Sequence, residues 1–308
     1  MNLIRRKGSE TVNGDRRDHL HGRNRGRARH SPNGYRRPSL GSGKAGNRAV
    51  DNNAALAELL QLAARLLPGL QGQLAQPAQL GQTERSEHTD RSEQTVIIQG
   101  SDNRQQLRAL YQYWRQQHPE ATHAYWWVRC WNMLIWQPVY LSVIGVHSAG
   151  IAVSLARFSQ QYHQGVVAGF TLAPQCGQLI PTSSAIRRSA AELSAFCQQM
   201  LAELAQVIPL RPVLAQRLLA DSLLSALLLC YQQASLMTQP QLLHWRQLWL
   251  DALGIDNAAP FYIDALTRQP AFKRRACCMH YLRADGDCCD NCPKRANQYR
   301  KIREPDWG

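Results

Sequence analysis

The sequence predicts a mostly helical α+β protein with a small central antiparallel β element and a cysteine-rich C-terminal segment. Three observations lead to this prediction. Apolar residues recur at three- and four-residue spacing through most of the chain, residues 151–172 alternate as strands do, and five of the nine cysteines lie between Cys277 and Cys292. With 308 residues, 44% of them hydrophobic, the chain can bury a sizeable core in one large domain or two ordinary ones.

Composition divides the chain into four segments. Residues 1–50 carry 13 Lys/Arg against 3 Asp/Glu and have no apolar period, so we expect a disordered basic tail. We assign 51–100 to a helix and a polar linker, 101–267 to the mostly helical α+β body, and 268–308 to the cysteine-rich segment. Because the charge of 51–267 is near zero, we expect no nucleic-acid partner, although a basic tail can contact an anionic membrane peripherally.

Helices are predicted from apolar spacing and from capping residues. They begin at Asn52-Asn53, near Ser101 and at Ser189, one covers about Pro119 to Trp136, and two more cover 211–234 and 239–253. Ser189 and Glu192 have the spacing of a capping box, and Gly254 is placed to end the last helix. An Arg217–Asp221 pair is expected on the surface of the helix over 211–234.

The β element is predicted from alternation on either side of a polar turn. Ile151, Val153 and Leu155 alternate with small or polar residues, and the turn runs through 160–165. The second strand then begins at Val166. The pattern therefore predicts an antiparallel hairpin whose first strand covers about 151–155.

The stretch from Cys130 to Ala156 has no charged side chain when His147 is neutral, and it is long enough to span a bilayer. Polar residues and Pro138 interrupt it, which favours a buried core over a spanning helix. Four tryptophans lie in or just before this stretch and could either pack in the core or line a substrate cleft, and their helical spacing favours the core. They are Trp126, Trp127, Trp131 and Trp136.

Cysteine usage indicates a reducing compartment. The number of cysteines is odd, five are clustered, and no apolar signal-peptide segment follows Met1, so we expect a cytoplasmic protein. The remaining cysteines lie in apolar segments and are expected to be buried small hydrophobes. These are Cys130, Cys176, Cys197 and Cys230.

The clustered cysteines have the pattern C-C-x10-C-x2-C, formed by Cys277, Cys278, Cys289 and Cys292, with Cys288 as an additional cysteine inside the interval of ten. Four thiolates are what a [2Fe–2S] cluster requires, two for each iron. The C-x2-C half can turn both sulfurs toward one metal centre, and the loop around Gly286 can bring the two halves together.

Zinc and disulfides are the alternatives that the spacing leaves open. C-x2-C is also half of many structural zinc sites, and His280 could replace one thiolate. Adjacent cysteines suit a single tetrahedral ion poorly, and the expected compartment disfavours disulfides. A zinc site would indicate a zinc-stabilised regulatory or nucleic-acid-binding module. A second alternative function, for a chain that does hold an iron–sulfur cluster, is a redox sensor without turnover.

One motif in this segment resembles the C-terminal signature of FhuF-type ferric siderophore reductases. It reads Phe-x-Arg-Arg-x-Cys-Cys-x-x-Tyr and is followed by Cys-x2-Cys-Pro. The resemblance implies a C-terminal iron–sulfur segment in which Cys277, Cys278, Cys289 and Cys292 bind a [2Fe–2S] cluster. It also implies a cytoplasmic enzyme that reduces iron(III) held in an imported siderophore. Cys288 departs from the family pattern and could substitute for Cys289.

Several residues flank the expected ligands. Arg274, Arg275, Tyr281 and Arg283 are expected to lie beside the cluster or to steer an anionic ferric complex or an acidic donor protein. No residue is assigned a catalytic role. Because no G-x-G-x-x-G follows a predicted strand, we expect the electron donor to be another protein or a small reductant.

Overall fold

The computed structural model describes residues 52–75, 96–175, 179–233 and 237–295, and the structural statements concern these residues. The predicted disordered tail, most of the polar linker and Cys176 lie outside them. The four predicted segment boundaries stay predictions.

The described ranges form six α-helices and six short strands, which confirms the predicted fold class. The helices are α1 Asn52–Leu66, α2 Arg104–Gln117, α3 Thr122–Ile144, α4 Thr182–Leu204, α5 Pro212–Gln233 and α6 Gln239–Ala252. The strands are β1 Gly72–Leu74, β2 Val96–Ile98, β3 Ser159–His163, β4 Val166–Leu172, β5 Tyr262–Ile263 and β6 Pro270–Ala271. Helices α5 and α6 match their predicted bounds closely, and Gly254, at φ 63°, follows α6 as expected.

Helix α3 forms the centre of the core, packed against α5 and flanked by α2 and α4. Nearly every residue from Cys130 to Ile144 is buried, so the prediction of a buried core for this stretch is confirmed. Trp131 donates its indole N–H to the carbonyl of Ala215, and Trp136 donates to that of Val167, at 3.0 and 2.7 Å. These two tryptophans therefore belong to the core.

The central sheet has the strand order β1-β4-β3-β2, with β1 parallel to β4 and the other pairs antiparallel. The hairpin is present, but its first strand is β3 and not residues 151–155 as predicted. Residues 152–155 have no regular structure, because the Ser154 hydroxyl and the Leu155 amide both donate to the Glu192 carboxylate on α4. Alternation alone could not reveal this side-chain tether.

Two further predictions about helices are wrong. Ser189 does not begin a helix, since it lies buried inside α4, which begins two turns earlier, after Pro181. Glu192 therefore takes no part in a capping box, and its carboxylate binds residues 154–155 instead. Asp221 on α5 does not pair with Arg217, which is exposed, because its carboxylate faces inward.

Helix α5 is long and apolar enough to cross a membrane, but more than half of its most apolar window is buried inside the protein. It packs on α3 and α6 as a core helix does. Cys130, Cys197 and Cys230 are buried as predicted, and burial raises the pKa of Cys197 to about 12 and that of Cys230 to about 11. Burial therefore disfavours the thiolate form at these positions.

Candidate metal centre

The cysteine-rich segment follows β6 and is anchored to the core by one buried carboxylate. Asp221 on α5, which is 1% exposed, accepts hydrogen bonds from the backbone amides of Arg275 and Ala276 at 3.1 and 2.9 Å. It also accepts from Nε of Arg274 at 3.5 Å. Since these three residues directly precede Cys277, Asp221 fixes where the adjacent cysteines leave the core.

A sharp turn follows the adjacent cysteines. Met279 has the left-handed conformation, with φ 58° and ψ 12°, and a 3₁₀ turn over His280–Leu282 follows it. Gly286 packs against this turn so closely that a Cβ atom there would collide with the His280 carbonyl oxygen. The reversal at Met279 is the sharp backbone turn that two neighbouring cysteines need if both are to serve one site.

Two hydrogen bonds close the segment. The Arg274 amide donates to the Asn291 carbonyl at 3.1 Å and joins the start of the segment to its end. The Cys292 amide donates to the Cys289 carbonyl at 3.0 Å and forms the turn of the C-x2-C half. A third contact comes from the core, where Glu120, just before α3, accepts from the Ala284 amide at 3.1 Å.

The sulfurs are arranged as two pairs, each with one member from each half of the motif. The outer pair, Cys278 and Cys289, is half-buried, and its sulfurs lie 3.8 Å apart. The inner pair, Cys277 and Cys292, is buried, and each of its thiols shifts the pKa of the other. The structure thus joins Cys289 to Cys278, whereas the sequence suggested that the two C-x2-C sulfurs turn toward one metal centre.

Cys288 lies at the edge of this arrangement. The Cys292 thiol raises the pKa of Cys288, and the Cys288 carbonyl accepts from Nη2 of Arg295 at 2.8 Å. Cys289, and not Cys288, is the residue whose sulfur approaches Cys278. The geometry therefore favours Cys289 as the partner of the adjacent cysteines.

In the outer pair, the surroundings favour a thiolate at Cys278. The hydrogen bond from Cys289 lowers the pKa of Cys278 to about 5, and the same contact raises the pKa of Cys289. The charge of Arg274 favours the thiolate at both positions. Since metals bind thiolates and not thiols, the contact favours the ligating form at Cys278 and disfavours it at Cys289.

The four flanking residues named from the sequence have different positions. Arg274 has a 15% exposed side chain and pairs with Asp221, so it supports the loop from inside. Arg275 is exposed. The ring centre of Tyr281 lies 4.5 Å from the ammonium of Lys294. Arg283 pairs with the exposed Asp285.

Sequence reasoning missed the residues that the helices contribute. Besides Asp221 and Glu120, α3 places Tyr125 with its ring 6.3 Å from that of His280. One turn later on α3 lies Arg129, whose guanidinium is 4.5 Å from the ring centre of Trp114. The available signal was a charged residue within an apolar helix, which is costly to bury without a partner.

The arrangement suits a two-metal cluster better than one ion. Among the described residues, no three His, Cys, Asp or Glu side chains converge as ligands of a single ion do. Two thiolates about 2.3 Å from one tetrahedral metal are separated by roughly 3.8 Å, which is the Cys278–Cys289 distance. Two such pairs, one outer and one inner, are the donor set that a [2Fe–2S] cluster requires.

Comparison with known proteins agrees with this geometry. Residues 274–294 match the family model of the FhuF 2Fe-2S C-terminal domain. No solved structure matches the chain. The family match confirms the resemblance noted in the sequence and identifies the cofactor of the C-terminal segment as a [2Fe–2S] cluster.

Proposed function

We propose that this protein, whose C-terminal segment is a FhuF-type 2Fe–2S domain, is a ferric siderophore reductase that binds its cluster through Cys277, Cys278, Cys289 and Cys292. The observation that carries the proposal is the family match over 274–294, on a segment whose outer sulfur pair is half-buried. The match supports an iron–sulfur protein of this type, and the reaction, the ligand set and the partners are our proposals.

The chemistry of the substrate favours reduction as the route of iron release. Siderophores hold iron(III) through hard oxygen donors, and iron(II) binds such donors less tightly. A [2Fe–2S] cluster supplies one electron at a time, which is the number that this change requires. Complexes with hydroxamate donors should react better than those with catecholates, whose ferric forms are harder to reduce.

The protein's own residues have two roles in this proposal. Asp221 and Glu120 hold the segment on the core, so that the inner pair is sealed and the outer pair faces solvent. The exposed cations Lys273, Arg275 and Lys294 lie in the same segment and attract an anionic ferric complex or an acidic donor protein. Arg274 is less suited to steering, because its guanidinium is bound to Asp221.

The remaining proposals concern partners and location. We propose that another protein or a small reductant donates the electron, and that the reaction takes place in the cytoplasm. The basic tail over 1–50 would add a peripheral contact with an anionic membrane. A zinc-stabilised module is not favoured, since the matched domain binds a 2Fe–2S cluster.

The test uses anaerobically purified protein reduced by a small reductant that is then removed. Mixed with a ferric hydroxamate siderophore and an iron(II) chelator, it should release chelated iron(II) as the cluster is reoxidised. Reversing the charges of Arg275 and Lys294 to Glu should slow transfer to anionic complexes at low salt and much less at high salt, because the attraction is screened. Reversing Arg187 and Arg188, both exposed on α4, makes the same change in net charge and serves as the control.

A redox sensor without turnover is the competing function. A reduced cluster that is stable, and that no ferric siderophore reoxidises faster than buffer alone, would refute the reductase proposal and favour the sensor.

A further inference from the structure

Arg129 differs from the other cations around the cysteine segment. On α3 it lies one turn after Tyr125, with its guanidinium 4.5 Å from the ring centre of Trp114. Its Nε atom is buried and has no hydrogen-bond acceptor. Among the described residues no carboxylate lies within ion-pair distance of it, whereas Arg274 has Asp221 and Arg283 has Asp285.

Arg129 is half-buried, with its Nε atom fully so, and a cation held there without a counter-charge is costly, so desolvation lowers its pKa. Stacking on an indole ring offsets only part of this cost. The charges of Tyr125, Cys130 and Cys278 all act on the pKa of Arg129 in the opposite sense to burial, and of these three only Cys278 belongs to the proposed ligand set. The Tyr125–His280 contact holds this part of α3 against the turn that follows Cys278.

We infer that Arg129 is the inner counter-charge of the cluster site and that its fixed positive charge raises the reduction potential of the cluster. The inference rests on the proposed ligand set but does not require siderophore turnover. Four thiolates make the site strongly negative, and one added electron makes it more so. A cation held on this part of α3, against the turn that follows Cys278, therefore stabilises the reduced form more than the oxidised form. Arg129 is not a catalytic residue in this inference, because its charge acts on the cluster through space.

The experiment is a redox titration of the whole protein with its cluster, followed by visible absorption and electron paramagnetic resonance. In Arg129→Met, which keeps a long apolar side chain over Trp114, the ratio of reduced to oxidised cluster at a fixed potential should fall at least tenfold, equivalent to about 59 mV. Arg129→Lys keeps the charge and should change the ratio less than threefold. Arg108→Met, an exposed position on α2, makes the same change in net charge and should have no measurable effect.

The salt dependence of the effect distinguishes a partly buried charge from an exposed one. The effect of Arg129→Met should persist in about 1 M salt, where the screening length is only about 3 Å. A wild-type ratio in Arg129→Met, an equal loss in Arg129→Lys, or an equal loss in Arg108→Met would each overturn the inference.

Folding of the variants is checked first by thermal unfolding. If Arg129→Met does not retain its cluster, Arg129→Gln is titrated instead, with the same tenfold fall expected and a wild-type ratio again refuting the inference. Failure of siderophore reduction in wild-type protein would refute the proposed reaction while leaving these potentials interpretable. The two failures are therefore distinguishable.

Discussion

Asp221 is the residue on which the position of the cysteine segment depends most directly. Its carboxylate is the acceptor for two backbone amides and one guanidinium, all within the three residues before Cys277. In Asp221→Ala these donors lose their acceptor at a buried position. Removing one partner of a buried charged pair costs about 3–5 kcal/mol, and we expect this loss in the free energy of unfolding.

Asp221→Asn provides the matched comparison. Asparagine keeps one carbonyl oxygen that can accept a hydrogen bond from a backbone amide, and it avoids burying a charge. In wild type, burial raises the pKa of Asp221, which means that desolvation outweighs its hydrogen bonds. We therefore expect a loss of only about 1–2 kcal/mol. For a chain of this size, each kcal/mol corresponds to roughly 2–4 °C in melting temperature.

The assay combines urea unfolding with the rate of cluster loss from anaerobic protein. Asp221→Ala should lose the cluster much faster than wild type, and trypsin should cut at the loosened Arg274 and Arg275. If Asp221→Ala unfolds within 1 kcal/mol of wild type and keeps its cluster, the anchoring role is refuted.

The raised pKa also fixes the sign of a pH effect. The folded protein binds the proton on Asp221 more tightly than the unfolded chain does, so the stability from the protonated form is complete below the unfolded pKa of about 3.9. That contribution is lost as the pH rises through the folded pKa. The stability of wild type relative to Asp221→Asn should therefore fall as the pH rises from about 4, and an increase over that range would contradict the account.

Three further predictions concern the ligands, the turn and the tail. Cys288→Ser should keep the cluster spectrum and Cys289→Ser should lose or alter it, since only Cys289 approaches Cys278; the reverse result would exchange the two cysteines. Gly286→Ala should reduce cluster occupancy, because the added methyl meets a backbone carbonyl that cannot move away easily, and full occupancy would show that the turn is not required. Deleting residues 1–50 should leave the absorption spectrum and the rate of iron(II) release unchanged, whereas loss of the cluster would show that the tail takes part in assembly.

Much of the helical structure could be predicted because apolar spacing reports directly which face of a helix is buried. Helices α5 and α6 have the expected bounds, and Cys130–Ile144 is buried as expected. The first strand of the hairpin could not be placed, because Ile151, Val153 and Leu155 are buried in an irregular segment held by Glu192. Ala152 between them is buried as well, so the alternation in the sequence does not correspond to two faces of a strand.

The cysteine cluster could be found from the sequence because its spacing is unusual and all five residues lie within one short segment. Its surroundings could not. Asp221 and Arg129 are separated from the cysteines by 50 residues or more, and the sequence predicted a pair with Arg217 for Asp221 and no role for Arg129. Their importance depends on tertiary contacts, such as the Asp221–Ala276 hydrogen bond at 2.9 Å, that no local pattern encodes.

A single-turnover experiment tests the proposed function most directly. Fully reduced protein is mixed anaerobically with an excess of a ferric hydroxamate complex, and cluster reoxidation and chelated iron(II) are recorded together. The account predicts that both signals follow the same time course. About one iron(II) should appear for each cluster that is oxidised, because the cluster transfers single electrons. Reoxidation without iron(II), or a reduced cluster that persists as long as in buffer alone, would contradict it.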